Sequence, residues 1–216
     1  MSEQSTPVDE RIFEYIETHT TREDAFLAQL KVEARKTGLP AIWISPGQAA
    51  FLQILLRAVR ARTVVEVGTL AGYSAIAMAR ALPDDGRLTT IELEESHAAF
   101  AERWIARSDV AARITLLRGA AIDVLKTLPD DSADVVFLDA DKQSYPLYLR
   151  EALRILHRGG VLLADNALAH GELFEPKSTN ASAIAMKAFN EVIVKEPALQ
   201  SVIVPLGDGI WVGVRR

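Results

Sequence analysis

The sequence predicts a doubly wound α/β fold with a mostly parallel, seven-stranded sheet, an antiparallel C-terminal hairpin strand and extra N-terminal helices. From residue 61 onward, apolar β-branched segments alternate with helical patterns, as in parallel sheets whose crossovers are helices. Gly207-Asp208-Gly209 separates the last two strand candidates, which favours a hairpin. The 216 residues suit one domain, and we expect an N-terminal helical cap at 1–60 and an α/β core at 61–216.

The N-terminal cap is predicted from helical spacing and from capping residues. Apolar residues recur at helical intervals over 8–36, with a break near 19–21 and a stop at Gly38 and Pro40. Residues 45–48, Ser-Pro-Gly-Gln, are typical of a capping box with proline at the first helical position. We therefore expect a further helix to begin there.

The α/β core is predicted from seven short segments that are separated by helical patterns and turn residues. Several are apolar enough to be buried on both faces of a sheet. The strand candidates are 63–67, 88–92, 113–118, 133–139, 160–165, 200–206 and 210–215. We interpret His19, His97 and His157 as helix-end or helix-surface residues, and we expect His170 in a lid loop.

Composition excludes several classes of function. Hydrophobic residues at 49% and charged residues at 25% are ordinary for a globular protein. The formal charge of -5 gives no electrostatic reason to expect nucleic acid or an anionic membrane as a partner. Because the chain has no cysteine, disulfides, thiolate zinc sites and cysteine nucleophiles are excluded. The N-terminal residues lack the apolar core of a signal peptide, and no apolar run approaches the roughly 20 residues of a membrane span. We therefore expect a cytoplasmic protein.

Oxygen-bearing side chains follow two neighbouring strand candidates. Asp139 and Asp141 come after the segment 133–139, and Asp165 and Asn166 come after 160–165. If these strands are adjacent and parallel, Asp139, Asp165 and Asn166 meet at the carboxyl edge of the sheet, where open α/β sheets bind ligands. Three oxygen ligands suit a hard divalent cation such as Mg²⁺ or Ca²⁺. The alternative is that these residues are turn formers after strands.

A glycine-rich turn follows the first strand candidate. Glycines at Gly68 and Gly72 allow a ligand to approach the backbone, and the next helix offers free N–H donors. The spacing lacks the middle glycine of a dinucleotide site, and Glu66 disfavours a phosphate in the turn. Glu92 ends the second strand, where an acid typically binds ribose hydroxyls. Tight packing of the glycines and a solvated helix cap at Glu92 are the alternatives.

Taken together, these motifs resemble those of class I S-adenosylmethionine-dependent methyltransferases. More narrowly, they resemble the cation-dependent O-methyltransferases of the catechol and caffeoyl-CoA type. The resemblance extends over nearly the whole chain, and the pairing of LDADK with ADN is specific to that family among methyltransferases. The motifs that carry it are SPGQ at 45–48, EVGTLAGYS at 66–74, IE at 91–92, FLDADKQSY at 137–145, ADN at 164–166 and GDG at 207–209.

The resemblance implies a Rossmann-like methyltransferase fold, a homodimer, S-adenosylmethionine as cofactor and a divalent cation, with Mg²⁺ favoured and Ca²⁺ or Mn²⁺ as alternatives. It gives Asp139, Asp165 and Asn166 to the metal, and Lys142 the role of general base. The residues that it places around the cofactor are Ile44, Glu66, Gly68, Thr69, Ser74, Glu92, Leu93, Ala121 and Asp139.

The expected reaction is transfer of a methyl group to a hydroxyl of a small aromatic substrate with two adjacent hydroxyls. Such a transfer needs a deprotonated oxygen held in line with the methyl group, and a divalent cation favours that deprotonation. Two alternatives are an NAD-dependent oxidoreductase and a non-catalytic protein that keeps the fold. The sequence departs from the family at Ile42-Trp43 and at 167–172, which leaves the natural acceptor open. Trp43 either stacks on an aromatic substrate or packs against the N-terminal helices.

Overall fold

The computed structural model describes residues 8–175 and 178–216, which form seven strands in one sheet and eight α-helices. The strands are β1 (Thr63–Val67), β2 (Arg87–Glu92), β3 (Ile114–Arg118), β4 (Ala133–Leu138), β5 (Leu156–Ala164), β6 (Leu199–Val204) and β7 (Ile210–Arg215). The helices are α1 (Glu10–Thr18), α2 (Ala25–Lys36), α3 (Pro46–Ala58), α4 (Tyr73–Ala79), α5 (Glu95–Arg107), α6 (Ala121–Thr127), α7 (Tyr145–Ile155) and α8 (Ala181–Ile193).

The strand order is β3-β2-β1-β4-β5-β7-β6, with β1 to β5 parallel and β7 antiparallel to both β5 and β6. The predicted fold class and the C-terminal hairpin are therefore confirmed. The chain extends the sheet to one side of β1 with β2 and β3, and to the other side with β4 and β5. This reversal creates the crevice at which open α/β sheets bind ligands.

The register of the central strands aligns the residues that follow them. Val67 pairs with Leu138, and Leu138 pairs with Ala164. The backbone N–H of Asp139 donates to the Val67 carbonyl at 2.9 Å, and that of Asp165 donates to the Leu138 carbonyl at 3.0 Å. The glycine-rich turn, Asp139 and Asp165 therefore lie side by side at the carboxyl edge of the sheet.

Helices cover both faces of the sheet, because alternate residues of a strand point to opposite sides. Val135 and Phe137 of β4 are buried in a cluster with residues of α2, α3 and α4. Val136 and Leu138 are buried in a second cluster, with residues of α7 and α8. Helices α2 and α3 thus share a core with the sheet, whereas the division into a cap at 1–60 and a core at 61–216 stays a prediction. In the described part of the chain, no helix has the length and apolarity needed to cross a bilayer.

The N-terminal helices begin at the capping residues. Asp24 accepts hydrogen bonds from the backbone N–H groups of Phe26 and Leu27 at the start of α2. At α3, the Ser45 hydroxyl accepts from the backbone N–H of Gln48 at 3.2 Å, and the Gln48 amide oxygen accepts from the Ser45 N–H at 3.0 Å. The predicted capping box is confirmed, and so is the break between α1 and α2.

Most strand ends lie within one or two residues of the predicted bounds, and β5 shows the largest difference. Strand β5 begins at Leu156 rather than at residue 160, and it includes His157. Between the pairs Ala133–Leu156 and Val135–Val161 the register shifts, at a glycine pair whose first member, Gly159, has φ +84°. Such glycines fit a bulge within a strand as well as a turn before one. The interpretation of His157 as a helix-end residue is therefore wrong.

Candidate active site

Two carboxylates meet at the carboxyl edge of β4 and β5. Asp165 is buried, and both burial and the nearby charge of Asp139 raise the pKa of its carboxyl well above the ordinary range. Asn166 follows directly, with a left-handed backbone at φ +65° that turns the chain at the end of β5. The structure therefore brings Asp139, Asp165 and Asn166 to one edge, as predicted.

Lys142 provides the positive charge next to these carboxylates. It begins a 3₁₀ turn, Lys142–Ser144, and its ammonium lies 3.2 Å from Asp139 Oδ1 and 2.7 Å from the Tyr145 hydroxyl. Tyr145 is fully buried, and burial together with the charges of Asp139 and Asp165 raises the pKa of its phenol well above the usual value. The phenol therefore stays protonated and donates to the Leu138 carbonyl at 3.0 Å while it accepts from Lys142.

Tyr145 is a site residue that sequence reasoning did not single out. The available signal was its spacing of three residues from Lys142 in a helical segment, which places two side chains on one face. Asp141, which received no role as a ligand, accepts from the Tyr148 hydroxyl at 2.6 Å and from the Ser144 N–H. Asp141 thus stabilises the turn that carries Lys142.

Two further side chains contact the predicted metal ligands, and sequence reasoning missed both contacts. The Gln48 amide donates to Asp165 Oδ1 at 2.8 Å. The Asn166 amide donates to Asp208 Oδ2 at 3.1 Å, from the hairpin between β6 and β7. The sequence indicates Gln48 only as part of a capping box, and Asp208 only as part of a turn.

The glycine-rich turn lies directly beside the end of β4. Gly68 has φ +98°, and a Cβ at this position would lie 2.0 Å from the Asp139 carbonyl oxygen. Gly72 has φ +83° and is the N-cap residue of α4. Both glycines are therefore required by backbone conformation, and Gly68 also by the close approach of two strand ends.

Glu92 holds this turn in place from the end of β2. Its carboxylate accepts hydrogen bonds from the backbone N–H groups of Leu70 at 2.7 Å, Thr69 at 3.2 Å and Glu94 at 2.9 Å. The Gly119 N–H also donates to the Glu92 carbonyl at 2.9 Å, which brings the turn before Ala121 to the same edge. Glu92 thus has a role in the fold that the sequence did not indicate.

Glu66 carries a buried carboxyl group below the turn. Burial raises its pKa to about 8, although the neighbouring Ser74 and Thr90 hydroxyls act in the opposite direction. Neither hydroxyl has the geometry of a hydrogen bond to it, and neither Glu66 oxygen has a partner among the described residues. The Thr90 hydroxyl is instead 2.6 Å from that of Thr69. A buried acceptor without a donor is costly, so the site favours a ligand that supplies one.

Three further residues are candidates for contacts with the cofactor: Ile44 and Ala121 are buried, and Leu93 is exposed. Ile44 is buried just before α3, and Ala121 is buried at the first residue of α6. Leu93 is 66% exposed, directly after Glu92. Such an exposed apolar side chain at a ligand-binding edge is available to pack against a flat ligand.

The loop after Asn166 is docked onto the C-terminal hairpin. Ala167 and Leu168 donate backbone hydrogen bonds to the carbonyls of Gly209 and Asp208, both at 2.9 Å, and the His170 N–H donates to Asp208 Oδ1 at 2.6 Å. His170 has φ +51°, in the left-handed region that is uncommon for non-glycine residues. Its ring is largely exposed, and its lid role stays a prediction.

Trp43 is half-buried and packs against the core cluster that includes α2 and α3. The Arg35 guanidinium lies 5.0 Å from the centre of its ring, in the geometry of a cation–π contact. These contacts favour the interpretation that Trp43 packs the N-terminal helices.

Comparisons with known proteins show the family to which the chain belongs. A family model described as O-methyltransferase matches residues 17–216. A catechol O-methyltransferase of Niastella koreensis is 36% identical over 207 residues, covering 92% of this chain and 93% of that protein. The chain belongs to the O-methyltransferase family.

Solved structures of O-methyltransferases superpose on the whole fold. The enzyme from Bacillus cereus, in complex with SAH, has a TM-score of 0.87 at 31% identity and covers 95% of this chain and 97% of its own. TomG from Streptomyces achromogenes, involved in tomaymycin synthesis and in complex with SAM, has a TM-score of 0.85 at 31% identity, with coverage of 95% and 96%. The protein is thus an S-adenosylmethionine-dependent O-methyltransferase, and the alternatives of an oxidoreductase or a non-catalytic protein are not supported.

The residues present fit the two groups that the resemblance implies. The unpartnered Glu66 carboxyl fits a ligand with an ammonium or hydroxyl donor, such as the methionine end of the cofactor. For a cation, the fit rests on two close carboxylates, one of them buried. Over residues 8–175 and 178–216, no three His, Cys, Asp or Glu side chains form a metal-binding group. A cation at this edge would therefore be held by the two carboxylates together with the amide oxygen of Asn166.

Proposed function

We propose that the protein methylates a hydroxyl of a small aromatic substrate with two adjacent hydroxyls, and that the reaction requires a divalent cation. Asp139, Asp165 and Asn166 would hold the cation, for which Mg²⁺ is favoured and Ca²⁺ or Mn²⁺ are alternatives. The observation that carries the proposal is the convergence of these oxygens with Lys142 at one sheet edge. The name of the Niastella koreensis relative supports a catechol-like acceptor.

The cofactor would lie along the carboxyl ends of β1 and β2. Glu66, Gly68, Thr69 and Ser74 would surround its methionine end, and Glu92 would bind its ribose hydroxyls. Asp139, whose backbone adjoins Gly68, would border the cofactor and the cation together. Ile44, Leu93 and Ala121 would complete the apolar wall. The buried, unpartnered carboxyl of Glu66 and the exposed apolar side chain of Leu93 support this placement.

Lys142 would act as the general base. A bound cation favours deprotonation of the acceptor hydroxyl and leaves coordination positions for two adjacent oxygens. Lys142, whose nitrogen lies beside Asp139 in the site, would in its neutral form accept the hydroxyl proton. Tyr145 keeps the Lys142 nitrogen in place through the 2.7 Å hydrogen bond. The resulting oxygen anion attacks the methyl carbon in line with the departing sulfur.

A homodimer is also proposed, with helix α1 in the interface. Helix α1 carries four large apolar or aromatic side chains, Ile12, Phe13, Tyr15 and Ile16. None of them is buried among the described residues, and Phe13 and Tyr15 are exposed. Such an apolar surface is typical of a helix that packs against a partner. Light scattering should report a dimer that Phe13→Asp dissociates and that Ile184→Asp, at an exposed position of α8, does not. A monomeric parent protein would contradict the interface. A cytoplasmic location stays a prediction.

The function is tested by comparing acceptors and cations. We expect methylation of catechols, caffeoyl esters or flavonoids with Mg²⁺, with loss of activity in excess EDTA and recovery when Mg²⁺ is restored. Catechol should react far faster than phenol, because phenol offers one oxygen to the cation. Asp139→Ala and Asp165→Asn should abolish transfer while circular dichroism shows an intact fold. Full activity of metal-free protein in EDTA, or equal rates for catechol and phenol, would refute the proposal.

A further inference from the structure

Gln48 connects the start of α3 to the predicted metal edge. Gln48 is buried, and its amide nitrogen donates to Asp165 Oδ1 at 2.8 Å. The two residues are 117 positions apart in sequence. Gly207 of the hairpin turn packs on the same amide, since a Cβ at this glycine would lie 2.4 Å from Gln48 Cδ. The Gln48 side chain thus lies between Asp165 and the turn at Gly207, and a side chain at position 207 would overlap it.

The orientation of the Gln48 amide follows from chemistry. The Ser45 N–H can only donate, so the atom that faces it at 3.0 Å must be the Gln48 oxygen. The nitrogen is then directed to Asp165, where it donates to Oδ1. The capping box therefore forces a donor toward Oδ1 of the carboxylate, and among the described residues no side chain donates to Oδ2.

We infer that Gln48 is a positioning residue that makes Asp165 a one-oxygen ligand and thereby favours Mg²⁺ over Ca²⁺ at this edge. The inference rests on the proposed cation site. Mg²⁺ requires octahedral geometry and short bonds, whereas Ca²⁺ accepts a carboxylate through both oxygens and tolerates irregular geometry. With Oδ1 engaged by the amide, Asp165 offers the single oxygen that suits the smaller ion. Hydrogen-bond partners of metal ligands commonly have such effects on affinity.

The test measures Mn²⁺ binding to the full chain with saturating SAH, by the electron paramagnetic resonance signal of free Mn²⁺, followed by displacement with Mg²⁺ or Ca²⁺. Gln48→Met keeps the length of the side chain and removes the donor. We expect Mg²⁺ affinity to fall by roughly 10- to 100-fold and Ca²⁺ affinity to fall much less, so that the Mg²⁺ to Ca²⁺ preference changes. An unchanged preference in Gln48→Met would overturn the inference.

Two control variants separate positioning from helix stability. Ser45→Ala removes half of the capping box but keeps the Gln48 donor. Gln53→Met removes a similar amide from the same helix, where Gln53 donates to the Ala77 carbonyl at 2.8 Å. Both should lower the melting temperature without changing the Mg²⁺ to Ca²⁺ preference, and a change in either would show a general structural effect and overturn the inference. A parent protein that binds no Mn²⁺ would instead refute the cation site itself, and with it the role of Gln48.

Discussion

The carboxylate of Glu92 accepts a hydrogen bond from the backbone N–H of Leu70 at 2.7 Å, across the crevice between β1 and β2. Together with the contacts to Thr69 and Glu94, this bond makes one side chain responsible for the shape of the glycine-rich turn. The same carboxylate is proposed to bind the cofactor ribose. Binding and local structure therefore depend on one group.

Glu92→Gln should weaken cofactor binding by about tenfold to a hundredfold. The variant loses charge-assisted hydrogen bonds worth roughly 1.5–3 kcal/mol and turns an amide N–H toward a backbone donor. Calorimetric titration with SAH measures the loss, and Glu94→Gln, an exposed neighbour, is the control. Unchanged SAH affinity in Glu92→Gln would remove this residue from the cofactor site.

Much of the fold could be predicted because its signals are local. The capping box at Ser45, the hairpin at Gly207–Gly209 and the strand periodicity each depend on residues close in sequence. The convergence of Asp139 with Asp165 needed one further rule, that neighbouring parallel strands end at the same edge. The start of β5 was missed because a glycine pair permits either a turn or a bulge.

The contacts that orient the site could not be predicted, because they depend on the packing of distant elements. Nothing near Gln48 in sequence indicates that its amide meets Asp165. The Asn166–Asp208 contact likewise requires the pairing of β5 with β7. Sequence periodicity specifies which face a residue occupies, but not which polar atom of another element lies opposite.

Glu66→Gln should change the pH dependence of stability in cofactor-free protein with EDTA. The pKa of Glu66 is raised from 4.5 to about 8, so the folded state keeps a proton that the unfolded chain releases between these values. The stabilisation is complete below pH 4.5 and is lost as pH rises toward 8, at up to about 1.4 kcal/mol per pH unit. The variant should lack this contribution.

Urea unfolding at pH 5, 6, 7 and 8 measures the effect. Other titrating groups contribute equally to both proteins, so the difference between the two stability curves isolates Glu66. The free energy of unfolding of Glu66→Gln minus that of the parent should increase from pH 5 to pH 8, because only the parent loses stability through this carboxyl as pH rises. Parallel curves would show that the Glu66 carboxyl ionises at its ordinary pH in the folded protein.

Gly68→Ala should destabilise the protein more than Gly38→Ala. Both glycines have positive φ, +98° and +83°, so alanine is strained at either position by about 1–3 kcal/mol. At Gly68 the new methyl group would also overlap the Asp139 carbonyl, whereas no described atom lies within 4 Å of a Cβ at Gly38. Thermal unfolding compares the two variants, and equal losses would show that the ends of β1 and β4 can separate without penalty.

Lys142→Met should lower kcat by about 10² to 10⁴, the usual contribution of a general base, with SAH affinity close to that of the parent. Tyr145→Phe keeps the buried ring but removes the hydroxyl that contacts Lys142, so a smaller loss of kcat, on the order of tenfold, is expected. Tyr148→Phe is the matched control, because its hydroxyl donates to Asp141 instead. Steady-state kinetics with a catechol acceptor gives all three values. An undiminished kcat in Lys142→Met would mean that acceptor deprotonation does not need this amine. An undiminished kcat in Tyr145→Phe would mean that the Tyr145 hydroxyl does not position Lys142.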